Sequence, residues 1–358
     1  MFQYRNRTFF FLVVVLIVIG ILSIYSASSV WADMKYNDVL FYVKRQSLFA
    51  CVGLVCMGCI SYFDMKKVMR CSKLLYILCL ISMILVLIPG IGVERNGARS
   101  WFGVGSFLIQ PSEFMKLSLI VFVAHELSLL TKKKDIKSYW RIIVATGLAF
   151  LSIMLQPDFG SGVVMCSAIV VMVIVAGIDL RYFVYLIVVA MLGLAGLIIS
   201  APYRLARITS FLDPFSDPLG SGFQTIQALF AIAPGGLFGL GFQGSMQKHF
   251  YLPEPQTDFI FAIIAEEMGF IGCLFLISLF MLLLKQGVRV VLECEDSELM
   301  YVVVGIMSLF MIQVIINLGV VVNLFPITGV TLPFISYGGS SLVLMMGSMG
   351  VVMSIHRK

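Results

Sequence analysis

The chain has 358 residues, of which 60% are hydrophobic and only 12% charged, with a mean hydropathy of +1.02. That balance excludes an ordinary soluble domain, where charged residues make up about a quarter of the sequence. The net charge of +6 sits mostly in short basic loops, which excludes a nucleic-acid footprint and marks membrane topology instead.

Ten apolar runs read as helical spans: 8–27, 41–63, 74–92, 112–131, 140–156, 160–178, 182–201, 259–284, 299–325 and 338–355. Each suits a hydrocarbon core of about 30 Å. The expected fold class is therefore an all-α integral membrane protein, a single domain over 1–358 with a large extracytoplasmic loop at 202–258.

The first run follows Arg5 and Arg7, and the small residues Ser26, Ala27, Ser28 and Ala32 resemble a signal-peptide cleavage site. Nine further runs favour a retained helix. With the N-terminus inside, most lysines and arginines, among them Lys66, Lys67, Arg70, Lys73, Lys132, Lys133 and Lys137, fall in inner loops. Both termini are then cytoplasmic.

Span two opens on Lys44 and Arg45 and carries the C-x-x-C of Cys56 and Cys59. Inside an apolar helix that spacing reads as packing, and the eight cysteines follow no metal-type pattern. Span four opens on Glu113 and Lys116, three apart and so on one helix face; a helix-end ion pair explains the two alone equally well. Between spans five and six, PDFGSG places Asp158 where a plain turn needs no acid. His125, His249 and His356 form no metal constellation.

The loop 202–258 is long enough to expect function. After the turn-rich DPFSDP, a short helix is expected around Ile226 to Ile232, interrupted by Pro234 and followed by a glycine hinge. Next, YLPEPQTDFIFAIIAEEMGF (251–270) brings Glu254, Asp258, Glu266 and Glu267 to the start of span eight. GVTLPFISYGGSS (329–341) holds Ser336, Gly338 and Gly339 in irregular backbone, tolerated at such depth only against protein or a wet cavity. Ionisable residues in spans are expensive and normally face such a cavity, and here they map to the outer half. A charged cavity opening outward is expected.

GARSWFGVGSFLIQPSEFMK (97–116), QPDFGSG (156–162), RITSFLDPFSDPLGSGFQ (207–224), YLPEPQTDFIFAIIAEE (251–267) and PITGVTLPFISYGGSS (326–341) together resemble the signatures of the SEDS family, the bacterial shape, elongation, division and sporulation proteins. The resemblance covers essentially the whole chain. SWFGVGSF and FLDPF lean towards the division type, FtsW; Ala265 leans towards the elongation type, RodA, and Gln256 stands where both commonly carry His.

The resemblance implies a peptidoglycan glycosyltransferase that polymerises lipid II on the outer face of the bacterial cytoplasmic (inner) membrane, at the division septum. It further implies dependence on a divalent cation, Mg2+ or Mn2+, and a cognate class B penicillin-binding transpeptidase among divisome partners. Asp258 matches the family's essential aspartate and is the expected general base. Arg45, Arg99 and Lys116, ahead of Lys44, Arg204 and Arg207, are expected to stabilise the departing pyrophosphate. Glu113 and Glu254 would orient groups or a cation, Trp101 would contact substrate, and Glu266 and Glu267, about 12 Å beyond Asp258 along the helix, would support the cavity. Two other classes compete. A lipid flippase needs a path open to both sides, and a non-catalytic scaffold leaves Asp258 unexplained.

Overall fold

The computed structural model describes residues 2–95, 98–104, 107–133, 136–177 and 211–356. The seventh expected span, 182–201, lies outside the described residues, as do Arg204 and Arg207.

The first helix, α1 (Phe2–Tyr36), has 35 residues and at about 1.5 Å per residue is about 50 Å long. It runs unbroken through the small residues at 26–32. A turn in which the Asp38 carboxylate accepts from Leu40 N and Lys44 Nζ leads into α2 (Phe41–Ser61). There follow α3 (Met65–Arg70), capped by Asp64, and α4 (Ser72–Leu85).

The segment 92–111, expected as a loop, holds a three-stranded antiparallel meander: β1 (Gly92–Arg95), β2 (Ala98–Val104) and β3 (Phe107–Ile109). Val93 pairs with Trp101 and Phe102 with Ile109. Pro111 then starts α5 (Pro111–Lys133), where its fixed φ and missing N–H cost nothing. α6 (Ile136–Met154) and α7 (Phe159–Val175) follow, the latter capped by Asp158, which accepts from Ser161 N.

In the long loop, α8 (Phe223–Gly235) is the short helix expected there. The last three helices are α9 (Ile260–Glu293), α10 (Ser297–Val321) and α11 (Gly339–His356). Among the described residues six helices, α1, α2, α5, α9, α10 and α11, are long and apolar enough to cross a membrane, and α4 and α7 are shorter apolar helices. The chain is a multi-pass membrane protein.

α2 packs along α11, α10 against α5 and α7, α4 against α5, and α8 against α9. A side chain at Gly350 of α11 would stand 2.6 Å from the Met57 carbonyl of α2, so the absence of one sets that close approach.

α9 breaks at Gly269, where φ is 63° and ψ −165°. The freed backbone groups are taken up by the glycine-rich segment after α8. Leu240 N and Gly241 N donate to the carbonyls of Glu266 and Glu267, while Phe270 N and Ile271 N donate to those of Gly236 and Leu237. With no water in a bilayer core, a broken helix is viable only when protein satisfies its backbone in this way.

The acidic pair locks the same junction. Glu266 accepts from Ser245 Oγ and from Met246 N at 2.9 Å. Glu267 accepts from Ser26 Oγ of α1 and Ser245 N, with Lys248 Nζ at 3.5 Å. Both glutamates and Lys248 are buried. At the opposite end of the bundle, ion pairs join Lys66 to Asp296 and His125 to Glu298.

Candidate active site

The candidate site is a cavity of about 480 Å³ where α2, the sheet, α5, α7, the segment before α9, α10 and α11 converge. Its wall includes Arg45, Trp101, Glu113, Lys116, Glu254, Asp258, Gly338 and Gly339, eight of the residues expected from sequence. It also contains Asp158, the acid singled out between spans five and six, and adds Ser100, Gln110, Thr257, Gln313, Tyr337, Ser340 and Ser341. The volume lies within the roughly 300–1,000 Å³ common for ligand pockets.

Each charged group is positioned by its own local structure. Glu113 and Lys116 occupy the first turns of α5, where a carboxylate also meets the positive end of the helix dipole. Lys116 Nζ donates to Glu113 Oε1 at 2.6 Å, with Lys116 1% exposed. The Arg45 guanidinium lies 4.4 Å from the Phe41 ring centroid, a cation–π contact one turn back along α2. Asp158 caps α7 with one carboxylate oxygen and accepts from Gln110 Nε2 at 2.9 Å with the other.

Asp258 stands just before α9, held through its backbone. Asn317 Nδ2 of α10 donates to the Asp258 carbonyl and to the Val330 carbonyl, both at 2.8 Å. Ser336 Oγ donates to the Thr257 carbonyl at 2.7 Å and accepts from Leu332 N. Tyr337 N donates to the Gln256 carbonyl. Gln46, beside Arg45 on α2, donates to the Ser336 carbonyl at 3.2 Å and accepts from Gly338 N at 3.3 Å. Segments 256–258, 330–338 and the α2 turn bearing Arg45 are thereby stitched into one wall.

Two expected residues stand elsewhere. Arg99, placed among the pyrophosphate ligands from sequence, turns to Glu94 across the β1–β2 pair at 3.1 Å and is outside the cavity lining. Ser336 is likewise outside it and bonds the backbone. Gln256 is buried and enters the site through its carbonyl. Gln46 and Asn317 went unread because a single polar residue in an apolar span gives no sign of its partner.

Across the 254–258 segment lies a second cavity of about 360 Å³, lined by Gln224 of α8, Pro253, Glu254, Thr257, Asp258, Phe259, Ile327 and Gly329. Glu254, Thr257, Asp258 and Gly329 line both cavities. Gly329 has φ of +73°, and a Cβ there would lie 3.6 Å from Asp258 Oδ2.

Among the described residues, no cluster of three or more His, Cys, Asp or Glu side chains could by itself hold a metal ion. The donor set fits a different mode. Magnesium usually takes one or two carboxylates, keeps waters and shares substrate phosphates. Glu113 is paired with Lys116, and Asp158 with Gln110 and the α7 N-terminus; Glu254 and Asp258 add two further carboxylates to the same wall.

Comparison with known proteins follows the same outline. Residues 6–358 match the family model FtsW/RodA/SpoVE, described as cell cycle protein. The chain is 53% identical over 346 residues to stage V sporulation protein E of Bacillus subtilis (strain 168), covering 96% of this chain and 94% of that one. It is 38% identical to a probable peptidoglycan glycosyltransferase FtsW of Geobacter sp. (strain M18), covering 96% and 94%. A solved chain from work on a peptidoglycan synthase complex that coordinates polymerization and crosslinking superposes with a TM-score of 0.80 at 32% identity, covering 98% and 97%.

Proposed function

The chain belongs to the FtsW/RodA/SpoVE family of cell cycle proteins, and on that premise we propose that it is a peptidoglycan glycosyltransferase polymerising lipid II with Asp258 as general base. One observation carries the reading. Asp258 shares a cavity wall with the buried cation Lys116 and with Arg45, the two kinds of group that glycosyl transfer from a lipid pyrophosphate requires.

In the step, the 4-hydroxyl oxygen of the acceptor sugar bonds to the anomeric carbon of the donor. The bond from that carbon to the pyrophosphate oxygen breaks, and the lipid pyrophosphate leaves with the electron pair. The hydroxyl proton passes to the Asp258 carboxylate. Arg45 and Lys116 stabilise the departing charge, helped by the α11 N-terminus with Ser340 and Ser341. Glu254 would help to hold a Mg2+ or Mn2+ ion, whose chemistry there would be to neutralise pyrophosphate charge.

The flippase reading is weaker, because the cavity gathers its charged groups Arg45, Glu113, Lys116, Asp158, Glu254 and Asp258 in one place, where a translocation path needs access from both sides. The cytoplasmic placement of the termini stays a reading of the basic loops. The higher identity to a sporulation protein favours wall synthesis during spore formation, and septal division remains the second reading. A class B penicillin-binding transpeptidase is the proposed partner, since the solved relative comes from a complex that couples polymerisation to crosslinking.

The test is reconstitution with labelled lipid II, with and without a transpeptidase partner. Asp258→Asn is expected to reduce chain formation by about 10²–10⁴-fold, the usual worth of a general base. Glycan chains forming at the wild-type rate would remove Asp258 from that role, and lipid translocation without chain formation would favour the flippase. Complementation of a spore former lacking its stage V protein, against an FtsW-depleted strain, decides the process.

A further inference from the structure

The reaction brings two chemically unlike sugars together, and the structure holds two unlike cavities that meet at one carboxylate. The donor end carries a pyrophosphate and asks for cations. The attacking end of the acceptor is a neutral amino sugar, which asks for hydrogen-bonding groups at its edge and apolar surface against its C–H face.

Arg45 and Lys116 line the larger cavity. Among the described residues, the smaller cavity has no lysine or arginine in its lining; it offers the Gln224 amide beside Pro253, Phe259 and Ile327. We infer that the smaller cavity is the acceptor subsite, receiving the terminal sugar whose 4-hydroxyl attacks, while the larger cavity holds the donor's reacting sugar and pyrophosphate. This assignment rests on the glycosyltransferase reading and deepens it.

The shared wall gives the arrangement its chemical sense. Asp258 lines both sides, so it can take the proton from a hydroxyl in the small cavity while that oxygen bonds to the anomeric carbon presented from the large one. The pyrophosphate then departs on the far side, towards Arg45 and Lys116. Gly329 is the gap in the wall. It too lines both cavities, and a Cβ there would stand in contact with the Asp258 carboxylate, 3.6 Å from Oδ2, beside the place where the new bond must form. Gln224 makes α8 part of the acceptor site, which gives the long loop a substrate-contacting function. Its side chain is a specificity determinant for the sugar.

The experiment uses the full-length protein and two lipid II analogues in single turnover. One has its 4-hydroxyl capped and can only donate; the other has a non-hydrolysable link in place of the pyrophosphate ester and can only accept. Gln224→Ala is expected to raise the KM for the acceptor-only analogue roughly tenfold, the worth of about one hydrogen bond to a buried polar group, with the donor-only KM unchanged. Ile327→Trp, which fills the small cavity, is expected to abolish coupling while capped lipid II still binds. Arg45→Ala is expected to do the converse, raising the donor-only KM alone.

Thermal melting of each variant separates misfolding from lost binding. If Gln224→Ala and Ile327→Trp, both folded, leave the acceptor KM unchanged or raise the donor KM equally, the subsite assignment is overturned and the enzyme reading stands. If the wild type couples no analogue pair and forms no chains from lipid II, the glycosyltransferase reading falls and the subsite with it.

Discussion

Asn317 directs its amide hydrogens to two backbone carbonyls, those of Asp258 and Val330, from a buried position on α10. These two bonds fix the backbone that carries the base. Asn317→Ala would leave two acceptors unsatisfied at a cost of about 1–3 kcal/mol. It is expected to lower kcat by up to about 10²-fold through misplacement of Asp258, with KM little changed. Steady-state kinetics and a melting curve check both, and an equal fall in kcat/KM through KM alone would point to a binding role. Gln46→Ala should act in the same direction, because Gln46 holds Ser336 and Gly338 in the facing wall.

The same scale shows where the sequence ran out. Glu113 with Lys116 was legible because three-residue spacing on a helix fixes a face. Asp258, Gly338 and Gly339 were legible because acids and irregular backbone in apolar surroundings need a wet wall. Arg99 was misplaced because its partner, Glu94, comes from pairing across a β-hairpin in a segment read as loop. The short strands there, broken by glycine, carry too little alternation to register. Gln46 and Asn317 act on residues 290 and 59 positions away in the chain, a distance no local pattern reports.

Among the elements, the junction of α9 with the glycine-rich segment is the most sharply constrained. Gly239 has φ of +80°, and a side chain there would meet the Glu267 carbonyl at 2.1 Å. Gly239→Ala is therefore expected to cost about 1–3 kcal/mol from backbone strain alone, before relieving the clash. Beneath it, Glu267→Gln would leave buried Lys248 without its counter-charge, a loss of about 3–5 kcal/mol. Adding Lys248→Met should recover much of it. Thermal melts in one detergent read the cycle; additive losses would mean that Lys248 and Glu267 do not act as a pair. The pair of glutamates was expected to support the cavity from deeper in the helix. Their described contacts run instead to the 245–248 turn and to α1, so their support of Asp258 is indirect, through the shape of α9.

Among the described residues, the order of the helices was legible because lipid imposes long apolar runs, and nine of the ten expected runs fall on helices there. Sidedness follows from charge and can be measured. In a variant retaining only Cys71, which is exposed between α3 and α4, a membrane-impermeant thiol reagent is expected to label permeabilised but not intact cells. A variant carrying only Ser216→Cys, in the long loop, should be labelled in both. The opposite pattern would invert the topology and place the cavity towards the cytoplasm.

Ser26 and Glu267 are separated by 241 residues yet share a hydrogen bond. The small-residue stretch around Ser26 is thus part of a permanent contact, and cutting the chain there would remove a partner of the acidic pair. The order of synthesis gives that contact a further meaning. The first helix to leave the ribosome has its partner made only after most of the chain has been inserted, so a half-made bundle holds Ser26 in wait. Glu266 and Glu267, on entering, find Ser26 already in place while Ser245 and Lys248 have just preceded them. The contact between Ser26 and Glu267 therefore closes only when α9 is seated, long after α1 has been made.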